Sequence, residues 1–318
     1  MVVSSQTTQR YNNVIRIIKH PKIRPAIQIV LLIATLVLFT WYFLDNHGEF
    51  AKIRSLSIIE LALVLIGQMI AVFGNVLVII ALGMFFNKKI PLINATKIGA
   101  YSSVVNFFGF LQGGFGVRGV YLKTQYNISI KNYLSASVIQ YIILFGLAGS
   151  FIMVGFVLLG FIWPLFVLLV LALGVVTLFL FIKLLPKIAK ALQKLMLTYT
   201  KFIQLKPISA LVIATLVYLI GGLLAFGVEL SVVGAHISMG SLLVYTGLTQ
   251  FTILIALTPG GLGIREGILL IAQSQMMLTT SDIIVASTID RVVYFITLFI
   301  LFVFSIGADK YIGKGDIL

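Results

Sequence analysis

The chain has 318 residues, of which 60% are hydrophobic and 10% charged, with a net charge of +14 and a mean hydropathy of +1.13. A soluble protein carries about 25% charged residues, so a soluble enzyme, a disordered chain and a fibrous protein are excluded. A transmembrane β-barrel is excluded as well, because barrels alternate polar and apolar residues over short strands, whereas 26–44 is one continuous apolar run of helix length.

The basic residues cluster at the ends of apolar runs, which reads as positive-inside topology and contact with anionic lipid heads rather than nucleic acid. There are no cysteines, and His20, His47 and His236 lie far apart. No metal site and no cofactor is therefore expected.

In chain order, the basic tail containing Arg10, Arg16, Lys19, Lys22 and Arg24 leads into the first span, 26–44. That run is too long for a signal peptide and ends in Asp45-Asn46-His47 rather than a small-residue cleavage site, so it reads as a retained span. Further full-length spans are expected at 58–86, 133–159, 162–182, 208–233 and 283–307. The uncharged stretch 132–182 would be roughly 75 Å long as one helix, more than twice a bilayer core. Trp163-Pro164 divides it into two spans. Two further apolar segments, 94–112 and 240–258, are short or dotted with polar residues, and each runs into a glycine cluster and a second short helix.

Lysine and arginine positions set the topology. The tail, Lys88-Lys89, Lys131 and the linker 183–207, with Lys183, Lys187, Lys190, Lys194, Lys201 and Lys206, are placed inside. The segment from Lys97 to Lys131 then leaves the cytoplasm and returns to it, and 240–281 starts and finishes outside. The expected fold is thus an all-α polytopic membrane protein of one domain, 1–318, with six full transmembrane helices and two re-entrant helical hairpins entering from opposite faces. Both termini are expected to be cytoplasmic.

The hairpins resemble each other. Gln112-Gly113-Gly114-Phe115-Gly116-Val117-Arg118-Gly119 matches Pro259-Gly260-Gly261-Leu262-Gly263-Ile264-Arg265-Glu266, and Ala136-Ser137-Val138-Ile139-Gln140 matches Ala286-Ser287-Thr288-Ile289-Asp290. Segments 58–159 and 208–307 therefore read as two copies of one unit, antiparallel in the membrane, a recurring transporter plan. Glycines at a hairpin tip permit positive φ and close helix approach. Bare backbone at that depth is tolerable only where protein covers it or water reaches it. Gly114 to Gly119 also spells GxGxxG, but no strand precedes it and the next acid is Glu229, so a nucleotide site is not expected.

The second glycine motif resembles the signature of the lysylphosphatidylglycerol synthase transmembrane family, also called flippase-like membrane proteins, and the resemblance covers nearly the whole chain. The first copy differs at Gln112 and Gly119. In the multiple-peptide-resistance members, a domain of this kind moves aminoacylated phospholipids between leaflets while a separate soluble domain attaches the amino acid. That soluble domain is not found here, so the resemblance implies the translocating half without the synthase half.

Arg118, Arg265, Glu266, Asp290 and Arg291 are the charges expected at depth. Each costs roughly 2.5–3.5 kcal/mol at a helix centre and so needs a partner or water. Neighbours in a helix point about 100° apart, so pairs across elements are expected: Glu266 with Arg291 or Arg118, and Asp290 with Arg265. Either acid is also a candidate for a coupling proton. Glu60, Glu229 and Asp282 are expected at the interface. A head-group site would comprise Arg118, Arg265, Glu266, Asp290, Arg291, Gly113, Gly114, Gly260, Gly261, Gln112 and Gln140, with Tyr101, Asn106, Tyr245 and Gln250 as further cavity-lining candidates.

The function expected is translocation of a phosphate-bearing lipid across a prokaryotic plasma membrane through a central polar cavity. The partners are membrane lipids with anionic or phosphate-bearing heads, and a homo-oligomer is left open. The alternative is a non-transporting membrane partner of a glycosyltransferase or lipid-modifying enzyme. An intramembrane enzyme is disfavoured because no Ser/His pair occurs at hairpin depth and His236 falls in an outer loop.

Overall fold

The computed structural model describes residues 56–108, 113–161, 204–255 and 258–311, with Leu44 and Trp163 as isolated positions. The described residues form eight α-helices and two short 3-10 segments, with no strand among them. These are α1 (Ile58–Met84), α2 (Leu92–Phe108), α3 (Gly113–Tyr126), α4 (Ile130–Leu158), α5 (Leu205–Val232), α6 (Met239–Phe251), α7 (Ile264–Ile271) and α8 (Thr280–Tyr311). The 3-10 segments Thr252–Ile255 and Pro259–Gly261 lie between α6 and α7.

Four helices are long and apolar enough to cross a membrane: α1, α4, α5 and the Thr280–Leu301 part of α8. Each falls within a few residues of a span expected from hydropathy. The other two expected spans, 26–44 and 162–182, and nearly all of the 183–207 linker lie outside the described residues.

Local chemistry sets the helix starts. Ser57 and Glu60 cap α1 reciprocally: the Glu60 amide donates to Ser57 Oγ at 3.2 Å and the Ser57 amide to Glu60 Oε2 at 2.8 Å. Thr279 and Asp282 do the same before α8, at 3.1 and 2.9 Å. Ser129 and Ser238 cap α4 and α6 through single bonds from Asn132 and Ser241. Glu60 and Asp282 thus sit at helix starts, as expected of interfacial residues.

The centre of the bundle is the α1–α5 pair, held close by small residues. A Cβ on Gly67 would lie 2.7 Å from the Ala225 amide nitrogen, one on Gly221 would strike the Ala71 backbone, and one on Gly74 the Tyr218 backbone. These contacts run in opposite sequence order, 67 to 74 against 225 to 218, so α1 and α5 are antiparallel. Gly155 and Gly240 bring α4 onto α6 in the same way, a Cβ on Gly155 lying 2.6 Å from the Gly240 carbonyl oxygen. Such stripes let helix backbones approach where lipid offers no hydrophobic drive. α8 packs on α1, α2 and α5.

Each short helix pair folds back on itself. Gly114 of α3 meets the Ser102 carbonyl of α2, and its amide donates to Asn106 Oδ1 at 2.8 Å. Between α6 and α7 the turn is made by Gly260, Gly261 and Gly263, with φ of 58°, 68° and 79°. A side chain is strained in that region, which is why glycine occupies it. A Cβ on Gly260 would lie 3.4 Å from the Phe107 carbonyl oxygen, so the turn of the second pair meets the end of α2 in the first.

Candidate functional site

The deep charges come from the two helices that flank the second turn. Arg265 and Glu266 open α7, and Asp290 and Arg291 lie in the middle of α8. The Glu266 side chain reaches back to accept from the Gly263 amide at 2.9 Å. It caps α7 and leaves its other oxygen, Oε1, 2.9 Å from Arg291 Nη2. Arg265 Nη1 donates to Asp290 Oδ2, and Gln68 Nε2 of α1 donates to Asp290 Oδ1. The Arg265 guanidinium also sits over the Phe226 ring, 5.7 Å from its centroid. Both pairings between α7 and α8 expected from the 100° rule are present.

Arg118 of α3 differs. It is buried, at 9% exposure. Its Nε donates to Ser102 Oγ at 2.8 Å. Among the described residues no carboxylate lies within ion-pair distance of it.

These groups border one cavity of about 290 Å³, to which all eight helices contribute. Its polar lining includes Gln68 and Asn75 of α1, Asn106 of α2, Arg118 of α3, Gln140 of α4, Thr215 of α5, Gln250 of α6, Arg265 of α7 and Asp290 and Arg291 of α8. Gly260 and Gly261 form part of the wall. Of the residues expected to line a head-group site, Arg118, Arg265, Asp290, Arg291, Gln140, Gly260 and Gly261 are there, as are Asn106 and Gln250. Gly113, Gly114 and Glu266 stand behind the wall: Gly114 seats α3 on α2, and Glu266 holds Arg291. Gln112 lies outside the described residues. Tyr101 faces outward at 36% exposure. Tyr245 is fully buried, its hydroxyl 3.5 Å from Ser287 Oγ.

Glu229 lies in the last turn of α5, near a span end as expected, but it does not face outward: it is 0% exposed. Its charge neighbours are Asp290 and Arg265. Hydropathy placed it near a span end, but α6, α7 and α8 cover that end. Gln68 was not singled out either, because a lone glutamine in an apolar helix is an ordinary polar substitution until its partner is known. Among the described residues no group of three His, Asp or Glu side chains could hold a metal ion.

A multi-pass helical membrane protein whose apolar bundle closes around a charged, polar-lined cavity is the class defined by this fold and site. The family model described as Lysylphosphatidylglycerol synthase TM region matches residues 26–301, and the chain belongs to that family. It is therefore a membrane protein tied to lipid modification or translocation. No curated protein and no solved structure gives a significant match.

Proposed function

We propose that the protein translocates a phosphate-bearing lipid, its head group passing through the central cavity while the hydrocarbon tails remain in the bilayer. The observation that carries this reading is Arg118. It is a buried cation that lines the cavity with no acid beside it among the described residues, whereas Arg265 and Arg291 each face a carboxylate. A guanidinium of this kind suits bidentate contact with a phosphate. Polar side chains from every helix offer the further donors and acceptors that a head group needs in place of water.

The helix arrangement supports an inverted repeat, with re-entrant hairpins at α2–α3 and α6–α7. α1 and α5, the first helices of the two copies, are antiparallel, and exchanging the copies maps the α4–α6 packing onto α8–α2. Broken helices meeting at a cavity between inverted repeats suit alternating access. On this reading the chain is a translocase rather than an enzyme, in a prokaryotic plasma membrane with cytoplasmic termini. It acts on anionic or phosphate-bearing lipids and, where it self-associates, as a homo-oligomer.

The test is reconstitution into vesicles with a panel of head-group-labelled phospholipids and polyprenyl phosphates, followed by a leaflet-accessibility assay. Acceleration of at least one lipid that is lost in Arg118→Ala is the expected result. No acceleration for any of them would favour the non-transporting partner of a glycosyltransferase or lipid-modifying enzyme.

A further inference from the structure

Glu229 has no role in the head-group site as described, and its surroundings are unusual. Both carboxyl oxygens are buried and accept from no N–H or hydroxyl donor among the described residues, and the polar group that faces them is another carboxyl, that of Asp290. An ionised carboxylate so placed would be a stranded charge, since burial of a charge is tolerated only with a partner and hydrogen bonds. The cation beside it, Arg265, donates through Nη1 to Asp290, and its buried Nε and Nη2 make no hydrogen bond to Glu229 or to any other described group. Asp290 is in turn held by Gln68, so it is the fully satisfied acid of the pair.

The charge count points the same way. Around the second turn stand three carboxyls, Glu229, Glu266 and Asp290, and two guanidiniums, Arg265 and Arg291. All ionised, these five sum to −1, and one proton brings them to zero; Arg118, the third cation of the cavity, is within ion-pair distance of none of the three acids. The groups that face Glu229 are Asp290 from α8, Arg265 from α7 and Tyr245 from α6. α1 and α4 also pack on α5, but their only charged residues, Glu60 and Lys131, lie in their first turns. Neither of those helices supplies a charge to balance Glu229.

We infer that Glu229 is a proton-binding site, its carboxyl holding the one proton that neutralises the cluster and exchanging it with the cavity by way of the Asp290 carboxyl that borders it. Release of that proton leaves two carboxylates competing for Arg265, which loosens the Arg265–Asp290 pair that ties α7 to α8. Proton binding is thereby linked to the position of the second hairpin. Its use as the coupling step rests on the translocation reading above. The site itself does not.

The experiment is infrared spectroscopy of the lipid-reconstituted protein at neutral pH. The expected result is a protonated carboxyl stretch that shifts when glutamate, but not aspartate, carries ¹³C, and that is absent from Glu229→Gln. The isotope arm uses the wild-type chain, so poor folding of the variant does not blunt it. No protonated glutamate band in the wild type, or a band that persists in a folded Glu229→Gln, overturns the proposal. The second arm measures lipid movement under an imposed pH gradient. The wild type is expected to respond and Glu229→Gln to lose that response, and a variant that responds as the wild type does overturns the coupling. If no lipid moves in either protein, the translocation reading fails while the carboxyl band still decides whether Glu229 holds a proton.

Discussion

Gln68 and Asp290, 222 residues apart, are joined by a buried hydrogen bond that ties α1 to α8. Because Asp290 also accepts from Arg265, this carboxylate is where three elements of the bundle meet: the first described helix, the last, and the short helix after the second glycine turn. Its two oxygens are each committed, one to an amide and one to a guanidinium, which fixes how α7 sits against the spans.

Breaking that junction has a calculable sign. Asp290→Asn leaves Arg265 buried beside a neutral group, and removing one member of a buried pair costs about 3–5 kcal/mol. Folded yield and thermal midpoint in detergent are expected to fall sharply. Asp290→Asn combined with Arg265→Gln removes both charges and is expected to recover most of the loss. A double variant no better than the single one would mean that the pair does not set stability.

Arg118 and Arg265 are expected to separate. Arg118→Ala removes a cation whose one hydrogen bond among the described residues is to a neutral hydroxyl, so the fold should survive. Lipid movement should drop by roughly ten- to a hundredfold, the scale of one or two charge-assisted hydrogen bonds. Arg118→Lys is expected to recover only part of it, because an ammonium cannot make the bidentate contact. Arg265→Ala should instead lower folded yield first. Size-exclusion profiles read beside vesicle assays distinguish the two patterns.

The glycine stripe between α1 and α5 gives a packing test. Gly221→Val forces a side chain into the Ala71 backbone, and Gly74→Val into that of Tyr218. Overpacking typically costs 1–3 kcal/mol, about what would lower the thermal midpoint by several degrees. Gly116→Ala serves as the contrast, since a Cβ there meets nothing within 4 Å. It should be neutral or raise stability by about 0.5–1 kcal/mol through the lost helix entropy of glycine. Equal melting curves for Gly221→Val and Gly116→Ala would refute the close approach.

Topology is open to direct labelling because the chain has no cysteine. Single cysteines at the exposed positions His236 and Thr280 should react with an impermeant reagent from outside, and one at Asn132 only after the membrane is opened. Asn132 and Thr280 lie in the first turns of the corresponding helices α4 and α8, so labelling from the same side would end the inverted-repeat proposal.

The sequence by itself determined the membrane class, the four long spans among the described residues, the second glycine turn and the identity of the deep charges. These are readable because hydropathy and helical periodicity are local: a continuous apolar run has one low-energy state in a bilayer, and a charge within it stands out. The 100° spacing of neighbours pointed to pairs across elements, Asp290 with Arg265 and Glu266 with Arg291 or Arg118, and the structure pairs Glu266 with Arg291. What only the tertiary structure decided is which groups those charges leave unanswered. Glu229 lies one turn from the end of an apolar run and reads as interfacial, yet it is fully buried because α6, α7 and α8 close over it. Gln68 is one polar residue in an apolar helix until Asp290 arrives from the far end of the chain. Arg118 and Arg265 occupy matching places in matching motifs, and only the packing shows that Arg265 has an acid beside it while Arg118 has none among the described residues. Burial and pairing are set by contacts between separate helices, from 16 residues apart for Arg118 and Ser102 to 222 for Gln68 and Asp290, and no local pattern specifies which groups they leave without a partner.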